Sequence, residues 1–386
     1  MKPCPHVLIA SDSYKGSATS PEVNNLLAKG VLRVFPHAHI TQLMLADGGE
    51  GTVQACAQSR DSVMCHAVIQ GPLGNAIDAT YVLVDQGRTA VIEVASAVGI
   101  TLVTTSQEHA LHASSYGVGQ LIQDALNKGV TKIYVGLGGS VTTDGGTGMA
   151  RALGARFLDE YGKDVEAGVT GLRHIAHIDL SHLDTRINDV DVIGLTDVEN
   201  PLCGPCGAAL MFGEQKGIPQ AMLSEVDTWM SSYSTCLEQT LMRSLSSVPG
   251  TGAAGGLGFG LLAYTHAKLT RGIDFLLDAL NIDDHLTDCD FVLTGEGRMD
   301  AQTALGKVPA GVAAHCKKFN IPAIAIVGSR SEDVGSIYEN GIDLIIPAII
   351  TPTTLEDCMQ KTHQMLPLAA ETAARAVAMA HKLQRI

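Results

Sequence analysis

VLIASDSYKGSATSPEVNNLLAKGVLRVFPHAHITQLML, residues 7–45, is the stretch from which the fold can be read. Residues 7–10 form a short aliphatic run of strand character. Residues 21–35 read as a helix, with Ser20 as its N-cap and Pro21 at the first helical position, where a missing N–H is harmless. Residues 40–45 make a second strand, and residues 51–60 begin a second helix. This strand–helix–strand–helix order is the pattern of a parallel sheet with helices on its faces. The alternation returns near the other end, with strands at 291–294, 323–328 and 344–350, a helix at 308–319 and an alanine-rich helix at 366–383.

Between these two stretches the pattern changes. Residues 80–84 and 90–94 flank Asp85-Gln86-Gly87-Arg88, a hairpin signal. Strands follow at 132–137 and 191–195, and long helices at 220–246 and 255–268. The expected architecture is therefore α/β with two domains. A parallel α/β domain is formed by both chain ends (1–64 plus 287–386), and a second α/β domain (65–286) is inserted. A cleft between two such domains is the usual place for a small ligand.

Composition narrows the function. At 386 residues the chain exceeds one typical core. Hydrophobic residues make up 46% and charged residues 17%, which suits a well-buried globular protein. A net charge of −14 excludes an ordinary nucleic-acid binder and requires an anionic substrate to be met by local cations, backbone N–H groups or a metal. The nine cysteines are scattered, as expected of a reducing cytoplasm, and the single CxxC pair, Cys203 and Cys206, lacks a matching second pair for zinc. No segment reads as a signal peptide or a membrane span.

Five loops gather glycine with charged residues: SDSYKGS (11–17), LADGGEGT (45–52), GLGGSVTTDGG (136–146), LTDVENPL (195–202) and LTGEGRMDAQTALGK (293–307). Each follows an apolar run. Glycine lets backbone approach an anion, a helix N-terminus favours negative charge, and carboxylates hold divalent cations. Together they point to metal-assisted handling of phosphate. Asp12 and Lys15 lie just past the first strand, at the edge where open α/β sheets bind ligands. Asp47 and Glu50 flank a Gly-Gly turn, with Asp47 the better candidate for a metal or a base. Ser140, Thr142 and Thr143 follow three glycines, and Asp144 opens the next helix. Asp197, Glu199 and Asn200 follow a strand; Asp300 and Gln302 are placed in a loop after residues 292–293, flanked by Glu296, Arg298 and Lys307. Glu93 reads as a strand-edge surface charge. No Walker sequence or GxSxG elbow is present. The GxGxxG at Gly250, Gly252 and Gly255 lacks a preceding strand, so GTGAAGGLGFG is either a phosphate cradle or a close helix contact.

DSYKGS, ADGGEGT, GLGGSVTTDGG, TDVENPLCGPCGAA, GAAGGLG and LTGEGRMDAQTALGKVPAGVA, in this order, resemble the type I glycerate kinase family over essentially the whole chain. GPLG (71–74) and FGEQKG (212–217) add to the likeness. The resemblance implies a two-domain α/β architecture, with a parallel flavodoxin- or Rossmann-like domain formed by both chain ends. It also implies ATP-dependent phosphorylation of glycerate to 2-phosphoglycerate with Mg²⁺, in a cytoplasmic enzyme of glyoxylate and sugar-diacid catabolism. Lys15, Asp47, Asp197 and Asp300 are the expected catalytic residues, the three aspartates also being the metal candidates. Gly138, Gly139, Ser140, Thr142, Asp144, Gly252, Gly255, Gly256 and Gly295 are expected at the nucleotide phosphates, and Asp12, Ser13, Arg298, Gln302 and Lys307 at the substrate. Where the family usually reads SATNDGG this chain has SVTTDGG, so Thr143 replaces an asparagine, and Gln120 stands at a commonly acidic position. Two alternatives stay open: a kinase for another small hydroxy acid, and a catalytically silent nucleotide-binding regulator.

Overall fold

The computed structural model describes residues 4–46, 49, 51–58 and 61–383. The chain divides into two compact units, Met1–Asp47 with Ile273–Ile386, and Gly48–Gly272. We call them the terminal and the inserted unit. In chain order, β1 (His6–Ile9) and β2 (His39–Gln42) belong to the terminal unit. The inserted unit holds β3 (Val63–Gln70), β4 (Ala76–Val84), β5 (Thr89–Glu93), β6 (Lys132–Gly136), β7 (Arg156–Leu158), β8 (His177–Asp179), β9 (Asp191–Leu195) and β10 (Lys268–Thr270). The terminal unit resumes with β11 (Phe291–Met299), β12 (Ala323–Arg330) and β13 (Leu344–Pro347).

The terminal unit is built on a five-stranded sheet in the order β13-β12-β11-β1-β2, with every neighbouring pair parallel. Counted within the unit this is the order 2-1-3-4-5 of flavodoxin-like folds, whose ligand edge lies where the first strand meets the third, here β1 beside β11. One face packs Leu8, Val292, Ala325 and Val327 against the Val308–Phe319 helix; the other packs Val7, Ile9, Phe291 and Ile324 against the Ser20–Val34 and Thr362–Leu383 helices. Because both faces are covered, β1, the first part of β11 and β12 are aliphatic runs, VLI, FVL and AIAIV.

The Ser20–Val34 helix starts one residue before its expected first turn. Thr19 is the N-cap and donates its N–H to Glu22 at 2.8 Å. Ser20 is thereby released: its hydroxyl donates to the Ser11 carbonyl at 2.7 Å and accepts from the Leu45 N–H at 3.2 Å. The cap shift thus lets one buried hydroxyl join the ends of β1 and β2.

The inserted unit has a six-stranded sheet, β10-β9-β6-β5-β4-β3, parallel from β10 to β5 and antiparallel from β5 to β3. The β4–β5 hairpin turns at Asp85, Gln86 and Gly87, all at positive φ. Its core joins Ile92, Ile133, Val135 and Leu121 to the buried rings of Phe157, Tyr233, Phe259 and Tyr264. The Thr52–Cys56 helix packs on β4 and β5, which places it with this unit, while Ile273 and Leu277 pack over Gly311 of the terminal unit. The division therefore falls earlier at both junctions than the ranges 1–64 and 287–386. No helix among the described residues is long and apolar enough to cross a membrane.

Candidate active site

Each unit gathers its chemistry-bearing loops at the C-terminal ends of its parallel strands. In the terminal unit the first loop leaves β1 at Ala10. Asp12 is buried, donates its N–H to the Gly295 carbonyl at 3.0 Å, and accepts the Ser13 N–H at 2.6 Å. These two bonds fold residues 12–15 back across β11. Tyr14 is buried and donates its hydroxyl to the Ile326 carbonyl at 2.8 Å, and burial beside Glu296 and Asp12 pushes its pKa far up. Tyr14 is therefore a neutral anchor, and Lys15 next to it is exposed.

The glycines in TGEGRM are read from sequence as a loop, but β11 continues through them to Met299, in register with β12 as far as Arg330. The reason is steric. A Cβ at Gly295 would collide with the Ile326 carbonyl, and one at Gly328 would collide with the Gly297 carbonyl. These glycines permit two strands and Tyr14 to approach closely. Gly295 is consequently buried strand backbone, not an open phosphate cradle as the sequence suggested.

The extended strand carries Glu296 to the sheet edge. Its side chain is buried, accepts the Thr303 hydroxyl at 2.6 Å, and lies 3.8 Å from the Lys307 ammonium. Burial raises the Glu296 pKa, while Thr303, Lys307 and Lys15 pull it back. Lys307 also reaches Asp300 at 3.9 Å. Asp300 accepts the Gln302 N–H at 3.0 Å and donates its own N–H to Thr303 at 3.2 Å, which fixes the turn. Arg298 and Gln302 are exposed. Thus Asp12, Lys15, Glu296, Asp300 and Lys307 are gathered at the junction of β1 and β11. Glu296, read from sequence only as a neighbour of the Asp300 turn, and Thr303 are not among the expected site residues, because their pairing depends on β11 running on to Met299. Asp47 lies outside the described residues.

In the inserted unit the loops after β6 and β9 run side by side, with the Leu137 N–H donating to the Leu195 carbonyl at 2.9 Å. Gly138 is half-buried and Gly139 exposed; Ser140 is buried, and Thr142 and Thr143 are sealed inside with hydroxyls that have no partner among the described residues. Thr142 therefore lies behind the loop's outer surface. Asp144 is fully buried and accepts the Ser115 N–H and hydroxyl at 2.8 and 2.9 Å, and the Gly146 and Gly148 N–H groups, both at 3.1 Å. Burial pushes its pKa up and these donors pull it down. All four donors belong to the protein, so Asp144 ties this turn to Ser115 and to the start of the following helix.

The loop around Gly252 makes the close contact that was one of its two readings. The Gly252 N–H donates to the Asn200 carbonyl at 2.9 Å, and the Gly145 N–H donates to the Gly255 carbonyl at 3.1 Å. Gly255 and Gly256 hold positive φ, and a Cβ on Gly255 would collide with the Thr142 carbonyl. Gly252, Gly255 and Gly256 are thus packing glycines, and the regular helix begins only after them. Asp197 is exposed just beyond β9, and Glu199 pairs with Arg271 at 3.9 Å. Glu93 is not a surface charge: it is buried and accepts the Val53 N–H at 2.6 Å, at the start of the Thr52–Cys56 helix.

Lys216, in FGEQKG, is buried beneath the β6 loop and donates to the Ser140 hydroxyl at 3.1 Å and the Thr142 carbonyl at 2.8 Å. It stands in a short motif with no strand before it, so sequence alone suggests no role.

Among the described residues no three His, Cys, Asp or Glu side chains form a metal-binding group. A Mg²⁺ ion is commonly held by one or two carboxylates and completed by substrate phosphates. Asp197 and Asp300 supply hard oxygen donors of that kind on accessible turns.

Known proteins share this arrangement over its whole length. The glycerate kinase family model matches residues 7–378. A glycerate kinase of Halalkalibacterium halodurans is 41% identical over 95% of this chain and 97% of its own length. The glycerate 2-kinase of Escherichia coli K12 is 40% identical over 97% of this chain and 98% of its own. The crystal structure of a Salmonella typhimurium LT2 protein assigned as glycerate kinase 2 superposes with a TM-score of 0.82 at 40% identity, covering 98% of this chain and all of the other. With model, relatives and structure agreeing from end to end, the chain is an enzyme of the kinase class and belongs to the glycerate kinase family.

Proposed function

We propose that this protein transfers the γ-phosphoryl group of ATP to the 2-hydroxyl of glycerate, forming 2-phosphoglycerate. The observation that carries the reading is full-length identity of about 40% to proteins named glycerate kinase and glycerate 2-kinase. The two loop sets supply matching chemistry. Lys15, Arg298 and Lys307 offer cations for a small carboxylate and for the transferring phosphoryl group, which a chain of net charge −14 needs locally. Asp300, steadied by Lys307 and its own turn, is placed to accept the hydroxyl proton, with Asp47 and Asp197 as the other carboxylates proposed for this step. Glu296 and Thr303 hold Lys307 and Asp300 in position. In the inserted unit, the backbone amides of Gly138 and Gly139 and the Ser140 hydroxyl suit the nucleotide phosphates. Mg²⁺ on Asp197 or Asp300 would offset the charge of those phosphates when bound.

Phosphoryl transfer of this kind is accelerated mainly by positioning and charge. An ADP-release assay with glycerate, followed by phosphorus NMR of the product, tests the proposal. Formation of 3-phosphoglycerate would correct the regiochemistry, and turnover of lactate, tartronate or glycolate in preference to glycerate would favour the other hydroxy-acid reading. ATP binding with no turnover of any of them would mark a silent regulator, a reading opposed by the intact Lys307–Glu296–Asp300 cluster.

A further inference from the structure

Among the described residues Lys216 is the one strongly basic group drawn into the interior of the β6 loop, and the proposed chemistry does not use it. Only 4% of it is exposed. Its two bonds go to neutral oxygens, and among the described residues it makes no ion pair. The single 3-10 turn that carries it, Glu214–Lys216, adds only the exposed Glu214. The Ala208–Phe212 helix beside that turn, AALMF, has no ionisable side chain. Nor has the segment at 94–102, which clamps the loop through the Ile100 N–H to the Gly139 carbonyl at 2.8 Å and the Val141 N–H to the Val98 carbonyl at 2.9 Å. The charge that bears on Lys216 is Asp144, whose carboxylate is already occupied by Ser115, Gly146 and Gly148.

A buried ammonium without a contacting carboxylate is expensive to keep. The same interior holds the Thr142 and Thr143 hydroxyls, fully buried and without partners among the described residues. A loop needing only stability would be apolar there. These two independent features, a basic group and orphaned hydroxyls behind a glycine turn whose outer residues are accessible, describe a loop prepared for negative charge on its outer side.

We propose that Lys216 is a phosphate-positioning residue: from beneath loop 138–143 it ties Ser140 to the Thr142 carbonyl and provides the positive charge against which a nucleotide's polyphosphate is bound. The proposal rests on the reading that this loop receives the nucleotide. It has a consequence that a purely structural lysine lacks. Burial brings the Lys216 pKa down to about 7, only partly offset by Asp144. Polyphosphate at Ser140 favours the charged form, so binding near pH 7.5 takes up a fraction of a proton.

The test is calorimetry of ADP with Mg²⁺ in PIPES, HEPES and Tris, whose different ionisation heats report proton uptake. The wild type should take up a proton fraction that K216M does not, and K216M should bind ADP about tenfold or more weakly. Removing a buried, unpaired charge should leave its melting temperature equal or higher. Equal uptake in both proteins, or unchanged affinity in K216M, overturns the proposal. Should K216M fail to fold, absence of uptake in the wild type overturns it alone. Hydrogen exchange separates the underlying reading: ADP protection at residues 138–143 upholds it, whereas protection only elsewhere removes the reading and the Lys216 role together.

Discussion

The two loop sets occupy equivalent places, the C-terminal ends of parallel strands, yet they are built in opposite ways. At β1 and β11 the terminal unit gathers ionisable side chains: Lys307 lies 3.8 Å from Glu296 and 3.9 Å from Asp300. After β6 the inserted unit presents backbone at Gly138 and Gly139 and keeps Asp144 and Lys216 inside, with Asp197 exposed beyond β9. A sheet edge is thus only a location. Side-chain charges suit a small substrate whose bonds change, while backbone amides over a rigid interior suit phosphates that must simply be held.

If that contrast is right, substitutions of the ionisable groups in the first set should cost activity, and substitutions that disturb the packed backbone of the second, at Gly255 and Asp144, should cost stability. The largest effect is expected for Lys307→Ala, which removes the shared partner of Glu296 and Asp300. Its kcat/KM for glycerate should fall about 10²–10³-fold, with a melting temperature near that of the wild type because the side chain is partly exposed. A fall in stability with unchanged turnover would break the comparison.

Gly255→Ala should act the other way. The new Cβ meets the Thr142 carbonyl at a positive φ, so unfolding free energy measured in urea should drop by roughly 3 kcal/mol. Gly74→Ala, also at positive φ but with nothing near its Cβ, should lose only about 1 kcal/mol. Equal losses at both positions would show that close loop packing is not what Gly255 provides. Asp144→Asn turns an amide N–H₂ toward donors that need an acceptor, and about 2 kcal/mol should be lost in the same measurement.

The smallest and most discriminating effect concerns pH. Glu296 has a raised pKa when folded, so the folded state binds more protons than the unfolded one between the ordinary glutamate value and the raised one. Stability due to this group is therefore present at low pH and declines as pH rises through that window. Glu296→Gln should flatten this decline in a series of thermal melts from pH 4 upward. An unchanged slope would assign it to another group.

Much of the architecture was legible because it follows from local periodicity. The aliphatic runs at 7–10 and 323–328, separated by helix-period stretches, require a covered parallel sheet, and Asp85-Gln86-Gly87 specifies a hairpin whose three residues all adopt positive φ. β11 was read too short because glycine signals a turn and a close strand approach alike. The cap of the first helix was misplaced by one residue, since Thr19 and Ser20 are equally good caps and only the Ser20 bonds to Ser11 and Leu45 separate them.

What the sequence determined by itself was therefore the supply of chemistry: glycine loops with Asp12, Lys15, Ser140, Asp197, Asp300 and Lys307 after strands, in an order shared with one kinase family. Only the tertiary structure decided their employment. It turned Gly255 into a packing contact, Asp144 into a knot, Glu296 into a partner of Lys307, and Lys216 into a buried charge. The physical reason is that a residue's chemistry is local, whereas its burial and partners are set by segments remote in the chain: Asp144 is met by Ser115, and Lys216 by Ser140.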